Sequence, residues 1–133
     1  MAFSKIELYF FYFYNTNKMT TYEKHLCEPW FTLVAIGLKK GEGRLDRGDF
    51  SKMQPNDIII FHNSDLGFKR TCKVQIYHIR KYENMQSLIQ KENLDILLPS
   101  VKNQEDATKI YQNIYKDDFD KYAAIALKIG KIF

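Results

Sequence analysis

The sequence predicts an α+β domain built on a mixed or antiparallel, barrel-like sheet. Three observations lead there. The elements run strand, helix, several strands, helices, strand, so they do not alternate regularly as a doubly wound fold requires. The strand patterns are short, apart from one long run near the middle, and the chain closes on an alternating apolar segment. A chain of 133 residues with 45% hydrophobic content suits one domain with a real core.

Residues 1–20 stand apart. Tyr9-Phe10-Phe11-Tyr12-Phe13-Tyr14 follows Ile6-Glu7-Leu8 and precedes Asn15-Thr16-Asn17-Lys18. The run is short, aromatic rather than leucine-rich, interrupted by Glu7 and followed by no small-residue cleavage site, which argues against a signal peptide. It is too short to span a membrane. An added edge strand and a mobile extension are the two readings left. The folded unit is expected to occupy residues 21–133, and an intracellular location, cytoplasmic or nuclear, follows from the missing export signals.

Tyr22–Cys27 reads as a first strand, with His25 as an ordinary strand residue. Glu28 to Gly37 carries the clearest helix signal. Pro29 suits the first helical position, Glu28 complements the positive helix end, Phe31 and Val34, or Trp30, Leu33 and Val34, share a face, and Gly37 terminates. Trp30 reads first as core and second as a stacking wall. Leu45–Phe50 and Met53–Asp57 are turns. Ile58–Phe61 reads as a strand buried on both faces. Lys69–Tyr82 is a long strand whose alternation slips near His78-Ile79, the mark of a bulge. Asn84 and Asn103 are expected helix caps. Glu92–Leu98 is a short helical or turn segment. Ala107, Ile110, Tyr111 and Ile114 form a helical stripe, and Ala123–Ile129 closes the chain as a strand with one apolar face.

Composition limits function loosely. The net charge of +4, from 20 basic and 16 acidic residues, permits a polyanionic partner without demanding one. Cys27 and Cys72 sit in no Cys-x-x-Cys pair, and no histidine lies near them at ligand spacing. No zinc site, and no metal or cofactor, is expected. The cysteines read as small thiols in a reducing compartment, with pairing between them left open.

The chemistry concentrates in Gly37-Leu38-Lys39-Lys40-Gly41-Glu42-Gly43-Arg44. As a strand, this segment puts Lys40, Glu42 and Arg44 on one face and Gly41 and Gly43 on the other. The glycines leave their face bare, so a backbone or a flat ligand can come close. Lys39 has the wrong parity and needs the turn after the helix to aim it. Arg47 extends the basic patch, and Lys69 is a further basic neighbour. The bland alternative is a solvated face with an ion pair of small energetic value.

Glu28-Pro29-Trp30-Phe31 followed by Gly37-x-Lys39-x-x-Glu42-x-Arg44 resembles the ASCH family, whose hallmark is Gly-x-Lys-x-x-Glu-x-Arg. Asn56–Asn63 is similar to the family's Gly-Asp-Ile-Ile-x-Phe strand. Leu98-Pro99, Tyr111, Tyr115 and the closing Ala-Ile strand look like its later part, so the likeness covers residues 21–132. The resemblance implies a PUA-like β-barrel with flanking helices and a cleft at the barrel mouth, near the motif. It implies RNA or a modified nucleoside as ligand, with protein partners in RNA processing or transcription and no membrane. Lys39, Glu42 and Arg44 match the hallmark. On chemical grounds Arg44 suits forked contacts to a phosphate or base edge, Lys39 a point charge on phosphate, and Glu42 either the acceptance of hydrogen bonds from a base amino group or the holding of Arg44 in place. With Lys40, Arg47 and Trp30 these form the expected binding set, and Lys39 and Glu42 are the catalytic candidates.

The alternative activity is hydrolysis of an acylated nucleoside such as N4-acetylcytidine, or another RNA-processing reaction such as nuclease action. The family's amidohydrolase branch carries Thr where this chain has Glu42, and a second Glu on a later helix, for which Glu92 and Glu105 lie in the relevant region. Smaller departures are Lys40-Gly41, where Thr and a β-branched residue are usual, and Asn56 and Ser100, where Gly is usual. A third reading, an interaction protein, places the partner contact in the aromatic N-terminal run.

Overall fold

A five-stranded sheet curls into a half-barrel in the computed structural model, which describes residues 4–7 and 18–132. The strands are β1 (Thr21–His25), β2 (Gly41–Leu45), β3 (Ile58–Asn63), β4 (Arg70–Tyr82) and β5 (Ala124–Lys131), in the spatial order β1-β3-β4-β5-β2. The β1–β3 pair is parallel and the other three pairs are antiparallel. The helices are α1 (Trp30–Ala35), α2 (Met85–Lys91), α3 (Leu94–Leu97) and α4 (Gln104–Tyr115). Short 3-10 turns cover Gly48–Ser51 and Lys116–Asp118. The aromatic run Tyr9–Tyr14 lies outside the described residues. Ser4–Glu7, just before it, makes a reciprocal cap, Glu7 N–H donating to Ser4 Oγ (3.1 Å) and Ser4 N–H to Glu7 Oε2 (2.9 Å).

Register explains the layers, because paired residues share a face. Ile59 and Phe61 on β3 pair with Val74 and Cys72 on β4, Ile76 pairs with Ile129 on β5, and Leu127 pairs with Glu42 on β2. Apart from the buried Glu42 carboxylate these residues make one continuous apolar face, and α1 packs across β3, β4 and β5. The opposite face carries Gly41, Gly43 and Leu45 beside Ala124 and Ala126, and α2 and α3 pack against β2. A Cβ on Gly43 would sit 2.7 Å from Tyr111 Oη, and one on Gly41 2.8 Å from Ile96 Cγ2. What approaches the bare glycine face is therefore a layer of helical side chains, packed too closely for any larger residue.

Two burial expectations are corrected. The apolar run Ile58–Phe61 buries Ile59 and Phe61 only, while Ile58 and Ile60 are half-exposed. β3 neighbours the edge strand β1, and the helices do not cover its second face. The closing strand buries both faces over Ala124–Leu127, because β5 lies under helices on each side. The bulge falls between Ile76 and His78.

The caps hold where side chains can reach. Asn84 Oδ1 accepts from Ser87 N–H (2.8 Å) and Asn103 Oδ1 from Asp106 N–H (2.8 Å), each satisfying an orphan donor at a helix start. Pro29 is the N-cap of α1 rather than its first turn. Glu28 supplies the acceptors there, taking Thr32 N–H on Oε1 (3.0 Å) and Thr32 Oγ1–H on Oε2 (2.5 Å). Gly37, at φ +82°, ends the helix, a backbone region where glycine carries no Cβ penalty. Asn56 and Ser100 also have φ of +80°.

Candidate functional site

The hallmark charges sit at the seam of the half-barrel. β1 and β2 are the edge strands, and their unpaired edges face one another where Arg44 Nη2 donates to the main-chain oxygen of His25 (2.9 Å). The same guanidinium holds Glu42 Oε2 through Nε (3.1 Å) and Nη2 (3.0 Å). Its face lies on the Phe50 ring, 4.8 Å from the centroid.

Behind Glu42 stands Lys39, only 2% exposed. The turn after Gly37 aims it inward, with the Lys39 and Leu38 amides both donating to Leu33 O. Its Nζ donates to Gly41 O (2.5 Å) and to Leu97 O, and pairs with Glu42 Oε1 (3.2 Å). Three acceptors match the three donors of an ammonium. Burial pushes the Lys39 ammonium down, and Glu42 offsets part of that. For Glu42, burial pushes the carboxyl up, but Lys39 and Arg44 together outweigh it and hold the group below the usual carboxylate range. Lys39 thus points into the protein interior and does not line the hollow described next. Lys40 is exposed and does not line it either.

Glu42, Gly43 and Arg44 form one wall of a hollow of about 120 Å³. The end of β1 supplies His25, Leu26 and Cys27; Trp30, Leu98, Tyr111, Ile114 and Tyr115 complete it. Trp30 is 8% exposed, and Lys39 Nζ lies 5.7 Å from its ring centroid. Core residue and wall are therefore one position. Tyr111 and Tyr115 stack at 6.4 Å with planes 9° apart. Burial raises both phenols, Tyr115 to about 12, so each stays protonated at neutral pH. Burial, then Glu42, pushes the Cys27 thiol up as well, which keeps it out of its reactive thiolate form. Cys27 and Cys72 are both free.

A second, wider cleft of about 390 Å³ adjoins at Arg44 and Tyr115. Lys24, Arg47, Asp49 and Phe50 line it. Arg47 pairs with Asp118 (2.7 Å) and lies over Tyr122 at 5.0 Å; Lys24 pairs with Asp49 (2.6 Å). Lys69 stands apart, 3.8 Å from Glu23.

At the motif, Glu42 and Lys39 are engaged with one another. Neither later glutamate joins them. Glu92 pairs with Arg80 (2.6 Å) and accepts from Tyr82 Oη (2.7 Å), beside a separate cavity of about 230 Å³. Glu105 is exposed on α4, 3.5 Å from Lys109. Among the described residues, no group of three or more His, Cys, Asp or Glu is placed to hold a metal ion. No helix there is long and apolar enough to cross a membrane.

Residues 25–133 match the ASCH domain family. The chain belongs to the ASCH family. Solved structures agree with the fold. A crystal structure of the hypothetical protein PH0355 is 32% identical, with a TM-score of 0.73 over 85% of this chain and 100% of its own. The solution structure of protein PF0455 from Pyrococcus furiosus is 28% identical, TM-score 0.63, over 86% of this chain and 98% of its own. An ASCH domain from Lactobacillus crispatus, at 13% identity and TM-score 0.52, covers 84% of this chain and 79% of its own, and speaks to the fold alone. No curated protein matches the chain.

Two contributors escaped the sequence reading of this ASCH domain. Phe50 reads as a turn residue, yet its ring carries Arg44. The main-chain oxygen of His25 left no signal, because any residue supplies one.

Proposed function

We propose that this ASCH domain binds a single nucleobase, as part of single-stranded RNA or as a free or modified nucleoside, in the hollow at the seam. The observation that carries the reading is the pairing of a fixed carboxylate and guanidinium, Glu42 and Arg44, with aromatic walls from Trp30, Tyr111 and Tyr115. Flat rings stack on such walls, and base edges offer donors and acceptors to such groups. The hollow holds about four times the liquid-volume share of a water, a size for one ring and not for a whole nucleotide. A base must therefore leave its duplex to enter. The adjoining cleft, with Lys24 and Arg47 on its walls, suits the sugar and phosphate. Its cations are already paired with Asp49 and Asp118, so a phosphate there displaces a carboxylate and adds little affinity.

Trp30 gives the test an internal reporter, since it is the only tryptophan. Titration with cytidine, uridine, adenosine and guanosine should quench or shift its emission saturably for at least one of them. Anisotropy of labelled single-stranded RNA should weaken with salt, and Arg47→Ala should lower the salt slope by up to about one. Absence of both signals with the folded protein overturns the reading.

A further inference from the structure

The Tyr111 hydroxyl has no part in holding the protein together. It is 2% exposed, and its oxygen has no protein hydrogen-bond partner. Such a group costs free energy in a folded core unless something pairs with it. Helix α4 and the ring stack with Tyr115 fix its position, and the missing side chain of Gly43 clears its path. Tyr111 lines the same hollow as Glu42 and Arg44. A phenylalanine would fill the core equally well and leave nothing unpaired. The hydroxyl therefore has a use only toward something that enters the hollow.

Resting on the nucleobase reading above, we infer that Tyr111 is a specificity-determining residue, its O–H donating to an acceptor on the bound ring. Glu42 is restricted to accepting. Lys39 holds its Oε1 and Arg44 its Oε2, so the remaining lone pairs can take one N–H from the ligand. Tyr111, protonated, supplies the donor. Together they select a heterocycle that presents an N–H and a carbonyl or imino-nitrogen acceptor on the same edge. A hydrocarbon ring of the same size meets neither demand, and each unpaired polar group then weakens its binding.

The test is Tyr111→Phe, which removes one oxygen. The expected result has two parts. The thermal midpoint is equal to or above the wild type, because no native hydrogen bond is lost. Affinity for the best-bound of the four nucleosides, followed by Trp30 emission and by calorimetric titration, falls roughly tenfold. Indole, a flat ring with an N–H and no such acceptor, should bind both proteins equally. A Tyr111→Phe protein that binds the nucleoside as tightly as wild type overturns the inference while the nucleobase reading survives. A lower midpoint overturns it too, since the hydroxyl would then be structural. If the wild type binds none of the nucleosides, the inference falls; if it fails to bind single-stranded RNA as well, the nucleobase reading falls with it.

Discussion

Replacing Lys39 with methionine removes a charge from the interior while keeping most of the side-chain volume. Three acceptors lose their donor: Glu42 Oε1, Gly41 O and Leu97 O. Glu42 is 5% exposed and keeps only Arg44 as counter-charge. Breaking a buried ion pair from one side costs about 3–5 kcal/mol, and the two carbonyls add to the loss. A domain of this size is stable by about 5–15 kcal/mol, so one atom group accounts for a large share. At roughly 3–5 °C per kcal/mol, the midpoint should fall by roughly 10–25 °C. Urea and thermal unfolding followed by circular dichroism would measure it. Adding Glu42→Gln to Lys39→Met should cost less than the sum of the single changes, with a coupling of about 1–3 kcal/mol. A single-variant loss below about 1 kcal/mol, or strict additivity, refutes the reasoning. A variant that unfolds like wild type yet no longer binds nucleoside would return Lys39 to the ligand.

Gly43→Ala sets a Cβ 2.7 Å from Tyr111 Oη and 3.2 Å from its Cζ, and a buried, stacked ring cannot swing clear; a loss of about 1–3 kcal/mol is expected in chemical denaturation. The Glu42 carboxyl titrates lower in the folded than in the unfolded chain, where the value is about 4.3, because Lys39 and Arg44 outweigh the opposing effect of burial. Its stabilisation is therefore complete above about pH 4.3 and lost as pH falls through the folded value, so the stability gap between wild type and Glu42→Gln should narrow in acid when midpoints are compared from pH 7 to 3. Ser100, exposed and at φ +80°, should gain about 0.5 kcal/mol as Ser100→Gly and lose about 1–2 kcal/mol as Ser100→Val, measured by thermal unfolding.

Much of this fold announced itself locally. Asn84, Asn103 and Gly37 do their work within a few residues of themselves, so their side-chain and backbone chemistry could be read directly. The break in alternation before Ile79 marked the bulge for the same reason. The two-sided burial of β5 and the half-exposure of Ile60 depend on which faces of the sheet the helices cover, and that is a long-range fact. At the site, residue types disclosed Glu42 and Arg44 as neighbours. Lys39 was harder: parity showed that it left the strand face, but its partner Leu97 lies 58 positions on. Tyr111 sat in an apolar helical stripe, where its ring explained its presence and hid its hydroxyl. Asn56 and Ser100 adopt positive φ, a backbone region that glycine enters without a Cβ penalty.

The link from Arg44 to the His25 oxygen reaches past recognition to self-association. An uncovered strand rim invites a strand from another molecule, and a guanidinium planted on one of its carbonyl groups denies the intruder a foothold. Changing Arg44 to a residue without a donor therefore acts beyond the hollow as well. It uncovers the margin of β1, and such a variant should sediment as higher-order species at concentrations where the parent protein does not.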